Sequence, residues 1–266
     1  MKKLRIKQFR KDGSVYLFAL FYFLFITLLV AIFLSLILMG ETYQRVHTAA
    51  EAGARTRALS VNIPLKEQYG IIEALRPDKS EGYKPNYKEP TYSFSPSPGY
   101  DTAIISPSSQ TYKAALENAD TSAKQTVIST LNDSLGKNES GDKIAELKTE
   151  NICIQVLPLP AGNPITKKAK LNFSCSVTTP AGKTINVSAN NVEVYGYNHK
   201  LNKSGKMKVY NVAFVGVVYE DKHFFYKLLQ RLVNGEDESN WSAPPARATY
   251  AIAYPQIDDC TSDECH

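Results

Sequence analysis

The sequence predicts an α+β fold: a long N-terminal transmembrane helix that continues into an Ala-rich helical stalk, then a head with one helix and an antiparallel β-sheet. Three observations predict it. Residues 15–39 run for 25 positions without a charge. Good helix formers, unbroken by proline, carry the helical pattern on through residues 41–61. From Glu150 the apolar period shortens to two, the signature of half-buried strands.

The apolar run comes first. At about 1.5 Å per residue it spans roughly 37 Å, enough to cross a hydrocarbon core of about 30 Å with some tilt. Lipid offers no partner to backbone N–H and C=O groups, so a helix is the natural form there. A cleaved leader has an apolar core of only about 7–15 residues and a small-residue cleavage site. The segment Leu38-Met39-Gly40-Glu41 is a poor one, so the span reads as a retained anchor. Residues 1–14 hold Lys2, Lys3, Arg5, Lys7, Arg10 and Lys11 against one acid, Asp12. The positive-inside rule then keeps this tail cytoplasmic and exports everything beyond residue 40. The expected localisation is the inner (cytoplasmic) membrane, crossed once.

Charge and length bound the rest. The net charge of +5 equals the surplus in the first forty residues, leaving 25 basic and 25 acidic side chains beyond them. Basicity is therefore a topology signal and not a polyanion-binding patch, and no nucleic-acid partner is expected. About 225 residues remain for the exported part, enough for one good-sized domain.

Within residues 41–61, Tyr43, Val46, Ala50 and Gly53 or Ala54 recur at three- and four-residue steps. Ala49, Ala50, Gly53 and Ala54 offer a small-residue surface that a second helix can approach closely. Two readings stay open: packing on the protein's own head, or docking onto a partner helix. On the second, Ala50→Leu or Ala54→Leu disrupts partner association and leaves the head folded. Pro64 is expected to close the helix.

The layout of the first sixty residues resembles the TadE/TadG-like proteins of tight-adherence (Flp) pilus systems. The residues that carry the likeness are Lys11-Asp12-Gly13-Ser14-Val15, the apolar span from Phe18-Ala19-Leu20, and Ala49-Ala50-Glu51-Ala52-Gly53-Ala54-Arg55. Weaker echoes follow at Phe224-Phe225 and in an Ala-rich strand at residues 247–253. The resemblance implies a minor pseudopilin or assembly scaffold, with pilus or secretion-system membrane proteins as partners through the N-terminal helix, and allows an oligomer. Processed prepilins carry a Glu five residues beyond the cleaved Gly; here the fifth residue after Gly13 is Phe18, so the unprocessed, TadG-like form fits better.

Residues 62–110 hold seven of the fourteen prolines, interleaved with Tyr, Ser and Lys, and read as an extended spacer. A helix is expected over 111–135, with Ala114, Ala115, Ala119, Ala123, Val127, Ile128, Leu131 and Leu135 on one stripe. The α+β exported domain covers 111–257. Its strands are expected at 152–157, 170–178, 184–197, 206–219 and 249–254, with a short helix at 223–233. The run at 184–197 and the run at 206–219 read as a hairpin about Asn202-Lys203-Ser204-Gly205, with residues 214–218 central in the sheet.

Cys153, Cys175, Cys260 and Cys265 all lie on the side expected to be oxidising. Pairing 153–175, between neighbouring strands, and 260–265, in the acidic tail 258–266, is expected among three connectivities. That tail also carries His266 and four carboxylates, a zinc or copper candidate that a disulfide and a solvated tail explain better. No HExxH, P-loop, GxGxxG or GxSxG occurs, and Asp120-Thr121-Ser122 lacks the second serine of a DxSxS metal loop. Neither an enzyme nor a cofactor or metal site is expected. Six Asn-x-Ser triplets, at Asn132, Asn138, Asn172, Asn186, Asn202 and Asn240, keep a second class open: an anchored adhesin or receptor, including a eukaryotic type II glycoprotein.

Overall fold

The computed structural model describes residues 2–70, 74–75, 77, 101–106, 108–134, 147–159, 168–179, 182–195, 211–220, 231, 234–235 and 246–254. The chain divides into two units, residues 1–43 with 222–242, and residues 44–221 with 243–266. The helix α1 (Lys2–Ala58) supplies residues to both.

In the first unit α1 passes Gly40 without a break, and a Cβ there would meet nothing within 4 Å. Thr27 sits inside the apolar run without a polar penalty because its hydroxyl bonds back to the Phe23 and Leu24 carbonyls at 2.8 and 2.9 Å. The expected helix at 223–233 lies outside the described residues, apart from helical Arg231.

The second unit begins with the end of α1. The helix stops at Ala58, short of the expected Val61, and Val61 instead bridges Ala74 as an isolated β-pair. Pro64 does not close α1: it opens α2 (Ile63–Tyr69), where proline's fixed φ and missing N–H suit a first turn. Asn62 caps that turn, its side-chain oxygen accepting from the Leu65 N–H at 3.2 Å, and Gly70 ends it at φ 67°. With α3 (Thr102–Ile105), α2 corrects the expectation of an extended stretch over 62–110 at both its ends. Residues 78–100 are outside the described set.

The helix α4 (Gln110–Ser134) presents Tyr112, Ala119, Ala123, Val127 and Leu131 inward; Ala114, expected on this stripe, is exposed. A 3-10 turn at Thr149–Asn151 leads into β1 (Ile152–Pro158). Then come β2 (Lys168–Thr178), β3 (Thr184–Tyr195), β4 (Asn211–Glu220) and β5 (Ala246–Ala253). They form a three-stranded antiparallel sheet in the order β1-β4-β5 and a two-stranded antiparallel ribbon, β2-β3.

The central place expected for residues 214–218 is found, and the expected hairpin is not. β4 pairs with β1 and β5, while β3 pairs with β2. The reason lies in the side chains. Every residue of β4 is buried, so the strand needs cover on both faces. Val212, Phe214 and Val218 join Leu171, Phe173, Val177 and Val187 of the ribbon in one apolar cluster. Val215, Val217 and Tyr219 point the other way, into a cluster with Val46, Ala49, Ala50 and Ala54 of α1 and Val127 and Leu131 of α4. The unit is thus three layers: helices, the β1-β4-β5 sheet, and the ribbon. β3 alternates buried and exposed residues and serves as a surface strand.

Candidate functional site

The largest chemical feature of the described residues is a surface without charged groups. From Val15 to Leu38, α1 exposes a nearly continuous apolar surface; Tyr16 is 76% exposed and Phe18 75%. Soluble monomers rarely carry an apolar patch beyond a few hundred Å². One helix, within Val15–Ala58, is long and apolar enough to cross a membrane, and its most apolar stretch is uncovered.

The small residues singled out from the sequence have a different fate. Ala49, Ala50 and Ala54 are fully buried in their own unit, and Gly53 is buried with them. Gly53 faces α4: a Cβ on it would lie 2.3 Å from Val127 Cγ2 and 3.0 Å from the Ala123 carbonyl oxygen. They are helix-packing residues, but the helix they receive is the chain's own α4. Ala50→Leu therefore acts on the fold of this unit, and the expectation of a mutant folded but deaf to partners is withdrawn. Small residues permit close approach whichever helix approaches; only the tertiary structure says which.

Sequence reasoning missed Arg57. It lies on the same stripe, four residues after Gly53 and seven after Ala50, and is fully buried. Its Nε donates to the Asp120 carboxylate on α4, and its Nη1 donates to the Leu75 carbonyl at 2.8 Å. That carbonyl also accepts from Asn211 Nδ2, at the start of β4, at 2.7 Å. The Leu75 N–H in turn donates to the Ser60 carbonyl at 3.0 Å. One guanidinium and one carbonyl thus fasten α1, α4, β4 and the segment at residues 74–75 together. The arginine's place on the apolar stripe was the available signal. The contacts of this node run between structural elements, and Asn211 Oδ1 is buried there without a hydrogen-bond partner among the described residues.

Cys153 and Cys175 form a disulfide with Cα atoms 5.9 Å apart. This is the expected pairing; it joins β1 of the sheet to β2 of the ribbon and so staples two layers. Gly216 of β4 makes room for it, since a Cβ there would stand 2.8 Å from Cys153 Sγ. Cys260 and Cys265 lie outside the described residues. Closing a separation of 22 residues constrains the unfolded chain by about 3 kcal/mol. The double variant Cys153→Ser, Cys175→Ser should lose stability of that order, read as a lower urea midpoint for the detergent-solubilised chain; an unchanged midpoint would show that the layers hold without the staple.

Groups fit for catalysis are few. His47 Nδ1 lies 3.3 Å from Thr249 Oγ1, a contact between α1 and β5. Asp120, the head of the incomplete metal-loop pattern, is engaged by Arg57. Among the described residues no group of three or more His, Cys, Asp or Glu is placed to hold a metal ion. His199, His223 and His266 are outside the described set. No protein-family model, no curated protein and no solved structure matches this chain.

Proposed function

We propose that this chain is a single-pass membrane protein, N-terminus cytoplasmic and head exported, that works without turnover as a minor pseudopilin or assembly scaffold of a Tad/Flp-type pilus or a related secretion system. The observation that carries the anchoring is the uncovered apolar surface of α1 between Val15 and Leu38. Export draws support from the basic tail before the span and from the Cys153–Cys175 disulfide, a bond that persists in oxidising compartments. The pilus assignment rests on the resemblance of the first sixty residues. Since Ala49, Ala50, Gly53 and Ala54 are used inside the head, contacts with partner membrane proteins fall to the span itself. Ala31 and Ser35 stand one turn apart there, a spacing that lets another helix come close.

The test has two stages. The chain should stay with membranes at alkaline pH, and protease added to intact cells stripped of outer layers should remove the head. A soluble chain, or a head protected in sealed cells, would end the reading. Deleting the gene should then abolish surface fibres and their co-purifying membrane proteins. Fibres that persist while the chain remains anchored would favour the second reading, an anchored adhesin or receptor. What speaks for that one is the exposure of Asn132, Asn172 and Asn186, each the start of an Asn-x-Ser triplet.

A further inference from the structure

The two strands of the ribbon carry their Asn-x-Ser triplets in the same way. In β2 the triplet is Asn172-Phe173-Ser174, and in β3 it is Asn186-Val187-Ser188. A strand turns successive side chains to opposite faces, so Asn and Ser of each triplet share a face and the middle residue takes the other. Phe173 and Val187 are buried in the core between ribbon and sheet. Asn172, Ser174, Ser176, Thr184, Asn186 and Ser188 are exposed on the outer face, which carries no charge or apolar side chain among them. Ser174 pairs directly with Ser188, and Ser176 with Asn186. The two asparagines are therefore about 13 Å apart along the ribbon, far enough for each to bear its own substituent.

Each asparagine uses only one end of its amide in the fold. Asn172 Oδ1 accepts from the Asn191 N–H at 2.8 Å, beside the bulge between Leu171 and Phe173 and the left-handed Asn191 at φ 56°. Asn186 Oδ1 accepts from the Ser176 hydroxyl at 2.8 Å. Among the described residues neither Nδ2 is taken by an acceptor. A third triplet starts at exposed Asn132, in the last turn of α4. The triplets at Asn138, Asn202 and Asn240 lie outside the described residues.

We infer that Asn172 and Asn186, with Asn132, are acceptors of N-linked glycan, and that the outer face of the ribbon is a glycan-bearing surface. The inference rests on the export of the head proposed above, which both functional readings share, because the donor is a lipid-diphosphate-linked oligosaccharide on the far side of the membrane. In the transfer, Nδ2 bonds to the anomeric carbon of the first sugar. The bond from that carbon to the diphosphate oxygen breaks, the lipid diphosphate leaves with the bonding pair, and Nδ2 gives up one proton. The fold leaves both asparagines exposed, with Oδ1 and not Nδ2 engaged in its hydrogen bonds. A sugar there also covers a polar face whose charges, Lys170 and Glu193, stand opposite each other at one end, and the outer edges of two strands that would otherwise template pairing with another chain.

The full-length chain, purified from its own membranes and reduced, is weighed intact. A mass above that of the polypeptide by whole glycans, removed by a peptide amidase that leaves Asp at each modified Asn, is the expected result. Asn172→Gln touches the bulge and risks the fold, so Ser174→Ala and Ser188→Ala are the decisive variants: each should lose one glycan mass with the asparagine and its hydrogen bond intact. A bare polypeptide mass, or glycans unaffected by both serine variants and mapped to neither Asn172 nor Asn186, overturns the inference. Protease access to the head in the same cells is scored separately, so that failure of export is told apart from export without modification.

Discussion

Asp120→Ala should lower the unfolding free energy of the head by about 1.5–3 kcal/mol, the range for losing a hydrogen bond to a charged group, since the carboxylate is part-exposed and a fully buried pair would cost more. The pair is lopsided. The Arg57 side chain is 1% exposed, while that of Asp120 is 40% exposed. Removing the carboxylate strands a guanidinium that cannot shed its proton and keeps only the Leu75 carbonyl, which it shares with Asn211. Removing the arginine instead leaves a carboxylate that water already reaches. Arg57→Met should therefore cost clearly less than Asp120→Ala, because methionine refills much of the volume and Asn211 still satisfies the Leu75 carbonyl. Alanine is a good helix former, so no propensity loss at position 120 confuses the comparison. Urea unfolding of the detergent-solubilised chain, followed by circular dichroism, measures both. The opposite order would mean that Arg57 is hydrated and that the node is not what fastens α1 to the head. Domains are stable by only about 5–15 kcal/mol, so the expected loss is a sizeable share of the total and is readily measured.

How far this could be read in the sequence varies with the range of the interaction. The long apolar helix was legible because its signal is carried by each residue separately: no charge from 15 to 39. Both ends of α4 and the C-terminal end of α1 were legible to within a few residues, since their stripes are local patterns; the start of α1 was not, because the helix begins at Lys2, inside the expected tail 1–14. Strands too were found near their places, including the central β4, whose run of apolar residues shows no alternation. Pairing was not legible. The choice of β2 over β4 as the neighbour of β3 depends on which faces need cover, a sum over the whole unit. The polar turn at 202–205 drew attention to a local connection that the pairing does not use. Pro64 misled for a related reason: proline ends one helix and begins another with equal ease, and Asn62, its capping partner, decides which. The disulfide was found as a pair but not as a link between layers. Among the sites, Arg57 escaped because it is one of three arginines in the Ala-rich stretch, with Arg45 and Arg55, and looks as solvated as they do until Asp120 and the Leu75 carbonyl are brought to it.

Gly53→Val should be the most damaging single substitution on the helical layer, and the reason also settles what the small residues of α1 are for. Replacing glycine inside a helix with a residue bearing a Cβ normally gains up to about 1 kcal/mol of backbone entropy, less for a β-branched one. Here the first added carbon already stands 2.3 Å from Val127 Cγ2, and 3.0 Å from a backbone oxygen, Ala123 O. The side chain can turn away; the carbonyl of α4 can move only with its helix. Overpacking of this kind costs about 1–3 kcal/mol for one methylene group and more where backbone must shift, so the net effect is loss of the folded head. Gly53→Ala with Val127→Ala should recover part of the stability, having relieved the side-chain contact and left the carbonyl contact. Gly40→Ala, with nothing within 4 Å, should leave head stability unchanged. If Gly53→Val instead kept the urea midpoint and lost only partner membrane proteins on purification, the α1–α4 contact would be dispensable and the stripe would belong to a partner helix after all. The burial of Ala49, Ala50 and Ala54 around the same point argues against that outcome, because a partner would first have to displace α4 and expose Val127 and Leu131 to do so.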